Sequence, residues 1–270
     1  MIPGFGITLG MTLLWLGLVV LIPLAGLFIK TTELSAGQFL TILTSRRVLH
    51  AFEISFGLSL AAAAVNLVLG AVIVWALVRY RFPGRRILDA LVDIPFALPT
   101  AVAGIALTNL YAETGWIGGI LATWGIRVAF TPLGIFVALV FIGLPFVVRT
   151  VQPVLEDLDG ELEEAAASLG AGRWMTVRRV VLPAILPALL AGFALAFVRA
   201  VGEYGSVIFI AGNLPNVSEI APLLIVIRLQ EFRYADATAI AVVMLVAAFL
   251  MLFLINLLQR RFGLQAKSRR

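Results

Sequence analysis

Glu164-Ala-Ala-Ala-Ser-Leu-Gly170-Ala-Gly-Arg-Trp-Met-Thr-Val-Arg-Arg-Val180-Val-Leu182-Pro183 is a short, partly polar stretch set between long apolar runs. Its spacing decides how the rest of the chain is read. Upstream, Leu155, Leu158, Leu162, Ala165 and Leu169 step by three and four, which places them on one helical face. Glu156, Asp157, Asp159, Glu161, Glu163 and Glu164 occupy the other faces. Gly170 and Gly172 then punctuate, because glycine adopts the left-handed turn that ends a helix. A second short helix is expected from Arg173 to Leu182, leading into Pro183. The expectation is a helix-turn-helix projecting from the body of the chain, with small residues at its tip where a partner can approach closely.

The body is apolar. The 270 residues are 61% hydrophobic and 13% charged, and the mean hydropathy is +1.07. A soluble domain is about half apolar and about a quarter charged, so the chain reads as an all-α integral membrane protein. The formal charge of +5 fits arginines held at a membrane face better than nucleic-acid binding. There are no cysteines, which excludes disulfides and cysteine-ligated metals. The single histidine, His50, lacks metal-ligand neighbours in sequence and reads as an interfacial residue. No Gly-x-x-x-x-Gly-Lys-Ser/Thr phosphate loop occurs.

Six runs are long enough to cross a bilayer, which takes roughly 20 apolar residues. They are Ile7–Ile29, Ile54–Val78, Ala90–Ala112, Phe130–Val148, Val180–Gly212 and Ala237–Leu258. Backbone groups in lipid must be paired internally, so each is expected to be a helix. The first run has no basic residue before it and is long for a secretory signal, so it reads as a retained span. The fifth exceeds a straight crossing and is expected to tilt or to break near Pro183 and Pro187.

Charge sets the orientation. Arg79, Arg81, Arg85, Arg86, Arg149, Arg173, Arg178, Arg179, Arg260, Arg261, Lys267, Arg269 and Arg270 all fall on one side and make up most of the 20 Lys and Arg. The other side holds Lys30, Arg46, Arg47, Arg127, Arg228 and Arg233. The positive-inside rule places the Glu164–Pro183 loop and both termini in the cytoplasm. Arg46-Arg47 fits least well, and a short amphipathic segment lying in the interface is expected near it. The chain divides into 1–49 (first helix and external segment), 50–259 (a five-helix core with the loop 149–183) and 260–270 (a basic tail).

Small residues mark expected helix contacts: Gly57, Ala61 to Ala64 and Gly70 in the second run, and Ala101 to Gly104 in the third. The third run also carries Asp93-Ile-Pro and Leu98-Pro-Thr100. Its prolines free backbone carbonyls, which either shapes packing only or opens a polar path to Asp93 and Thr100. The fifth run carries Arg199, Gly202, Glu203, Tyr204, Gly205 and Ser206. Charges within a membrane face protein or a cavity and find partners. Arg199 and Glu203 are four apart and able to pair. The pair either fixes a subunit interface, or Arg199 lends positive potential to an anion path while Glu203 restrains it.

Glu-Ala-Ala, three residues, Gly, nine residues, aliphatic, one residue, Leu-Pro resembles the coupling motif of ATP-binding-cassette (ABC) importer permeases, with Val180 where that family has Ile. The resemblance implies a type I permease fold. In it Glu164, Ala165, Ala166, Gly170, Leu182 and Pro183 form the coupling helix and its turn, docked on a cytoplasmic ATPase.

A closer likeness follows. Arg199-Ala-Val-Gly-Glu-Tyr-Gly-Ser-Val-Ile-Phe-Ile-Ala-Gly-Asn213 is similar to the T-subunit permeases of sulfate/thiosulfate importers. So are Asp93 to Thr100, Glu219 to Ile225, Ala239 to Leu245 and Ile255-Asn256, over roughly 50–259. The Arg-x-x-Gly-Glu-aromatic-Gly core is shared with molybdate permeases, so molybdate or tungstate stands as the alternative oxyanion. The resemblance implies a bacterial inner-membrane subunit with no catalytic or cofactor site of its own. ATP and Mg would lie on two copies of a partner ATPase. A second homologous permease and a soluble sulfate-binding receptor complete the set, alongside membrane lipid and without nucleic acid. An ion-gradient-driven carrier would leave the spaced motif without a purpose. A non-transporting scaffold would leave Arg199 and Glu203 unexplained.

Overall fold

The computed structural model describes residues 5–267. The side chains of Leu258 and of 260–267 lie outside the described residues, and with them the basic tail, whose backbone is described as helix only to Lys267. All regular structure among the described residues is helical. Helix α1 (Phe5–Thr31) is followed by the short amphipathic α2 (Ala36–Leu43) and the long α3 (Arg46–Arg79). Three short helices come next: α4 (Arg85–Val92), α5 (Ile94–Ala97) and α6 (Thr100–Tyr111). Then come α7 (Trp116–Thr123), α8 (Pro132–Glu156), α9 (Gly160–Ser168) and α10 (Arg173–Val201). The chain closes with α11 (Val207–Ile210), α12 (Ala221–Gln230) and α13 (Tyr234–Lys267). Five of these, α1, α3, α8, α10 and α13, are long and apolar enough to cross a membrane.

The third apolar run is in pieces, α4, α5 and α6, which corrects the expectation of one continuous helix. The cause is local. A residue before proline is pushed out of the helical region. Leu98, before Pro99, is extended at φ −85°, ψ 134°, and α6 restarts at Thr100. The pieces run along α8: α4 meets it near Arg149, while Gly104 of α6 lies under Ser206.

The fifth run also differs from expectation. Its helix begins at Arg173, not Val180, and ends at Val201. It passes through Pro183 and Pro187 without breaking. A π turn at Val177–Val181 stands just before Pro183, and a second at Gly17–Leu21 stands just before Pro23 in α1. Proline lacks an N–H and collides with the carbonyl four residues back, and a wider turn relieves both. The predicted separate helix Arg173–Leu182 is therefore the first part of α10.

The core is a three-helix contact among α3, α8 and α10. Small residues make it possible, as helices in lipid associate by close packing. A Cβ on Gly70 would stand 2.6 Å from Val147 Cγ1, and one on Gly192 would stand 2.9 Å from Val147 Cα. Ala62 and Ala63 are buried there, whereas Ala61 and Ala64 are exposed and Gly57 touches nothing. Phe197, fully buried, anchors the α10 side. Helix α1 buries none of its residues and lies along α13, where Leu24 and Phe28 face Leu245, Phe249 and Phe253 across an apolar groove.

Helix α2 is the short amphipathic segment expected near Arg46-Arg47. Ser35 and Gln38 cap it reciprocally, Gln38 N–H donating to Ser35 Oγ and Ser35 N–H to Gln38 Oε1.

Candidate coupling and translocation sites

The projecting loop is a hairpin of α9 and the start of α10. Its first arm departs from the expected single helix: α8 stops at Glu156, and α9 starts only at Gly160. Asp159 caps α9 by accepting from Glu161 N–H. The break divides the apolar face in two. Leu155 and Leu158 are buried in the α3–α8–α10 core, while Leu162 and Leu169 turn outward.

The turn is a Schellman closure. Ala171 N–H donates to Ala166 O (3.0 Å), and Gly170 N–H donates to Ala167 O (2.9 Å). Gly170 sits at φ +82°, with nothing near its missing Cβ. Backbone conformation, not space, thus calls for glycine there. The hairpin presents Leu169, 89% exposed, and Trp174, 75% exposed, an apolar tip on a polar arm. Glu164 and Ala165 are exposed and Ala166 is half-buried. Leu182 and Pro183 are exposed directly after the π segment, against which α9 packs.

The second cluster forms where α10 ends. Gly202 closes the helix, and the chain folds back so that Glu203, 3% exposed, is enclosed. Glu203 Oε1 accepts from Ser206 N–H (2.8 Å) and Ser206 Oγ (3.0 Å), and its other oxygen pairs with Arg199. A buried carboxylate with three donors is satisfied without water. Thr100 joins the cluster: a Cβ on Gly205 would stand 2.2 Å from Thr100 Oγ1. Gly104 allows the same approach one turn on, where a Cβ would stand 2.4 Å from Ser206 O. The structure therefore brings Arg199, Glu203, Ser206 and Thr100 together, with Tyr204 half-buried beside them. On the other side of Glu203 a water-sized void is lined by Ser55 and Ser59.

Asp93 is not part of this cluster. It receives two hydrogen bonds from Arg149 (2.8 and 2.6 Å), and Asp89 receives one at 2.6 Å. Arg149 also donates to Asp89 O and Gln152 Oε1. One guanidinium from α8 thus ties α4 and the break residue Asp93 together, supplying donors where the helix is interrupted.

Sequence reasoning missed three contacts. Arg47 donates twice to Glu219, Arg79 contacts Glu163 of α9 at 2.6 Å, and Asn66 lies buried against Gly143. The signal for the first two was present: a charge adjoining an apolar run calls for a partner. Which partner depends on helix packing.

In the loops opposite the hairpin most basic residues have an acidic partner nearby, Arg46 excepted. Lys30 pairs with Glu33, Arg127 with Glu113, Arg228 with Glu231 and Arg233 with Asp236. Glu231 is held below the usual carboxylate range by the Arg228 hydrogen bond, against desolvation and with help from Arg233 and Arg47. On the hairpin side Arg81, Arg85, Arg86, Arg173, Arg178 and Arg179 have no ion pair among the described residues.

Crossing helices, a projecting hairpin and a polar cluster at the end of α10 make this a multi-pass membrane component. The chain belongs to the family described as binding-protein-dependent transport system inner membrane component, which matches residues 67–265. Among similar proteins, the sulfate transport system permease protein CysT of Escherichia coli K12 is 50% identical over 97% of this chain and 95% of its own length. CysT of Synechococcus elongatus is 52% identical over 92% of this chain and 89% of its own length. Among solved structures, the bacterial ABC transporter that imports the acidic polysaccharide alginate superposes with a TM-score of 0.78 at 18% identity, covering 94% of both chains. The MetNI methionine ABC transporter gives 0.58 at 19% identity, covering 79% of this chain and 93% of its own. These two likenesses concern the fold.

Proposed function

We propose that this chain is a membrane-spanning subunit of an ATP-driven sulfate/thiosulfate importer. The observation that carries the substrate is the near-full-length identity, about half of all positions, to sulfate permeases. Both termini and the hairpin lie in the cytoplasm. The larger number of Lys and Arg on the hairpin side, which is what the positive-inside rule counts, supports that orientation.

The partners are a second homologous permease, two copies of an ATPase that bind ATP and Mg, and a soluble sulfate-binding receptor. The exposed Leu169 and Trp174 beside Glu164, Ala165 and Gly170 suit docking in a groove on the ATPase. Closure of the ATPase pair moves α9. Leu182 and Pro183 at the start of α10 carry that motion along the helix to its far end, where Glu203 is held. Arg199, about one-third exposed in contrast to buried Glu203, gives a tetrahedral dianion a positive surface. Glu203 limits how tightly the anion is held, which lets it leave. Gly202 and Gly205 permit the segment to shift, with Thr100, Tyr204 and Ser206 alongside. Asp93 acts through Arg149 on the broken third run.

The test is radiolabelled sulfate uptake by cells lacking their own permease and expressing this chain with its partners. Uptake that excess molybdate barely inhibits is expected. An assembled complex that moves molybdate and not sulfate would overturn the substrate assignment.

A further inference from the structure

A cavity of about 430 Å³ opens beneath the hairpin, between α9, the start of α10 and the end of α3. Trp75, Arg79, Tyr80, Glu163, Arg173 and Thr176 line it. The transport reading leaves this cavity without a role. We infer that it holds the phosphodiester headgroup of an anionic phospholipid, with an acyl chain lying along α3.

Charge is the first argument. Arg79 and Glu163 are in ionic contact at 2.6 Å but poorly aligned for hydrogen bonding. Arg79 Nε and Nη2 and Glu163 Oε1 are buried without a hydrogen-bond partner. Arg173 has no ion pair among the described residues. Two guanidinium groups and one carboxylate leave the cavity with one positive charge, matching the single negative charge of a phosphodiester. Its oxygens would meet Arg173 and the accessible part of Arg79, whose side chain is 22% exposed.

The second argument is the surface leading to the cavity. Val68, Val72, Trp75 and Arg79 step by four, three and four, so they share one face of α3. Val68 and Val72 are 62% and 63% exposed. An apolar stripe thus ends in an indole, a phenol and two arginines, the order in which a lipid presents tail, interface and headgroup. A free phosphate ion would use the arginines and leave the stripe uncovered. The site also touches the coupling arm: a headgroup on Arg79 engages the group that holds Glu163, so occupancy would steady α9 against α3.

The test is native mass spectrometry of the complex of this chain with its partner permease and ATPase. The complex is extracted from nanodiscs of phosphatidylethanolamine containing either phosphatidylglycerol or phosphatidylcholine. One phosphatidylglycerol retained per copy of this chain, with no retained phosphatidylcholine, is expected. R173Q should lower that retention about fivefold, the effect of one basic residue near a lipid headgroup. Val72→Asp, on the stripe and away from the hairpin, should lower it as well, which keeps the test decisive if R173Q disturbs assembly. Retention unchanged by both variants, or phosphatidylglycerol displaced by millimolar inorganic phosphate, would overturn the inference. Uptake is not read here, so failure of the transport assignment would be separately visible.

Discussion

Arg47, at the start of α3, grips Glu219, just before α12, through Nε at 2.7 Å and Nη2 at 2.6 Å, across 172 residues of sequence. Glu219 is 1% exposed, so the pair is a buried fork rather than a surface contact. Beside it Ser55 Oγ accepts from Ala221 N–H at 2.8 Å. Together they tie the loop that follows the Glu203 segment to the longest helix of the core.

Removing one member of a buried pair strands the other charge, at about 3–5 kcal/mol. R47Q is therefore expected to lower the thermal unfolding midpoint of the purified complex sharply, by leaving Glu219 buried and unpaired. S55A, which orphans one N–H, should cost about 1–3 kcal/mol. Equal midpoints for R47Q and wild type would reject the buried-fork account.

Gly170 and Gly57 make a matched pair of probes. Neither has an atom within 4 Å of its missing Cβ, but only Gly170 has positive φ. Gly170→Ala should strain the turn by roughly 1–2 kcal/mol and reduce uptake, with the ATPase retained less well on co-purification. Gly57→Ala, within a regular helix, should transport as wild type. Normal uptake by Gly170→Ala would count against a role for the turn in docking.

Gly104 and Gly205 report on the Glu203 cluster. At Gly104 the obstacle is the backbone of Ser206, with Ser206 Cα 2.8 Å from a built Cβ, and backbone yields less readily than a side-chain tip. Gly104→Ala should displace Ser206 and the carboxylate it holds, costing about 1–3 kcal/mol and most of the uptake. Gly205→Ala meets the side chain of Thr100, so T100A should rescue it in part. A double variant no better than Gly205→Ala alone would show that the contact does not matter.

Arg199 and Glu203 should separate in transport kinetics. R199Q is expected to reduce sulfate uptake at least about tenfold, on the order of 1.4 kcal/mol, with R199K intermediate. Glu203→Gln keeps an oxygen for Ser206 but removes the countercharge, so the apparent KM for sulfate should fall. Unchanged KM in both variants would leave the pair a purely structural strut.

Glu203 separates what is local from what is not. Its place four residues after Arg199 was visible in the chain, and the structure pairs the two. That Ser206 closes the other side, and that Gly104 makes room for it, was not visible, because α6 reaches this point only after the third run has broken. The same holds at Arg149. The sequence marked it as a basic residue at a helix end, yet its partners Asp89 and Asp93 lie 60 and 56 residues away. The single helix expected from Leu155 to Leu169 failed for a further reason: its three-and-four spacing is real, but Asp159 starts a new helix and the two halves face different surroundings.

From sequence alone came the long apolar runs, the backbone carbonyls freed at Pro95 and Pro99, and the left-handed turn at Gly170. Each depends on backbone rules that act within a few residues: internal hydrogen bonding in lipid, the fixed φ of proline and the freedom of glycine. Tertiary structure decided that Arg47 holds Glu219, that Arg149 holds Asp89 and Asp93 where the third run breaks, and that Glu203 is enclosed rather than open. Those outcomes follow from which helix faces meet. In lipid, hydrophobicity does not choose between faces; small residues at Gly70, Gly143 and Gly192 and the need to pair buried charges do.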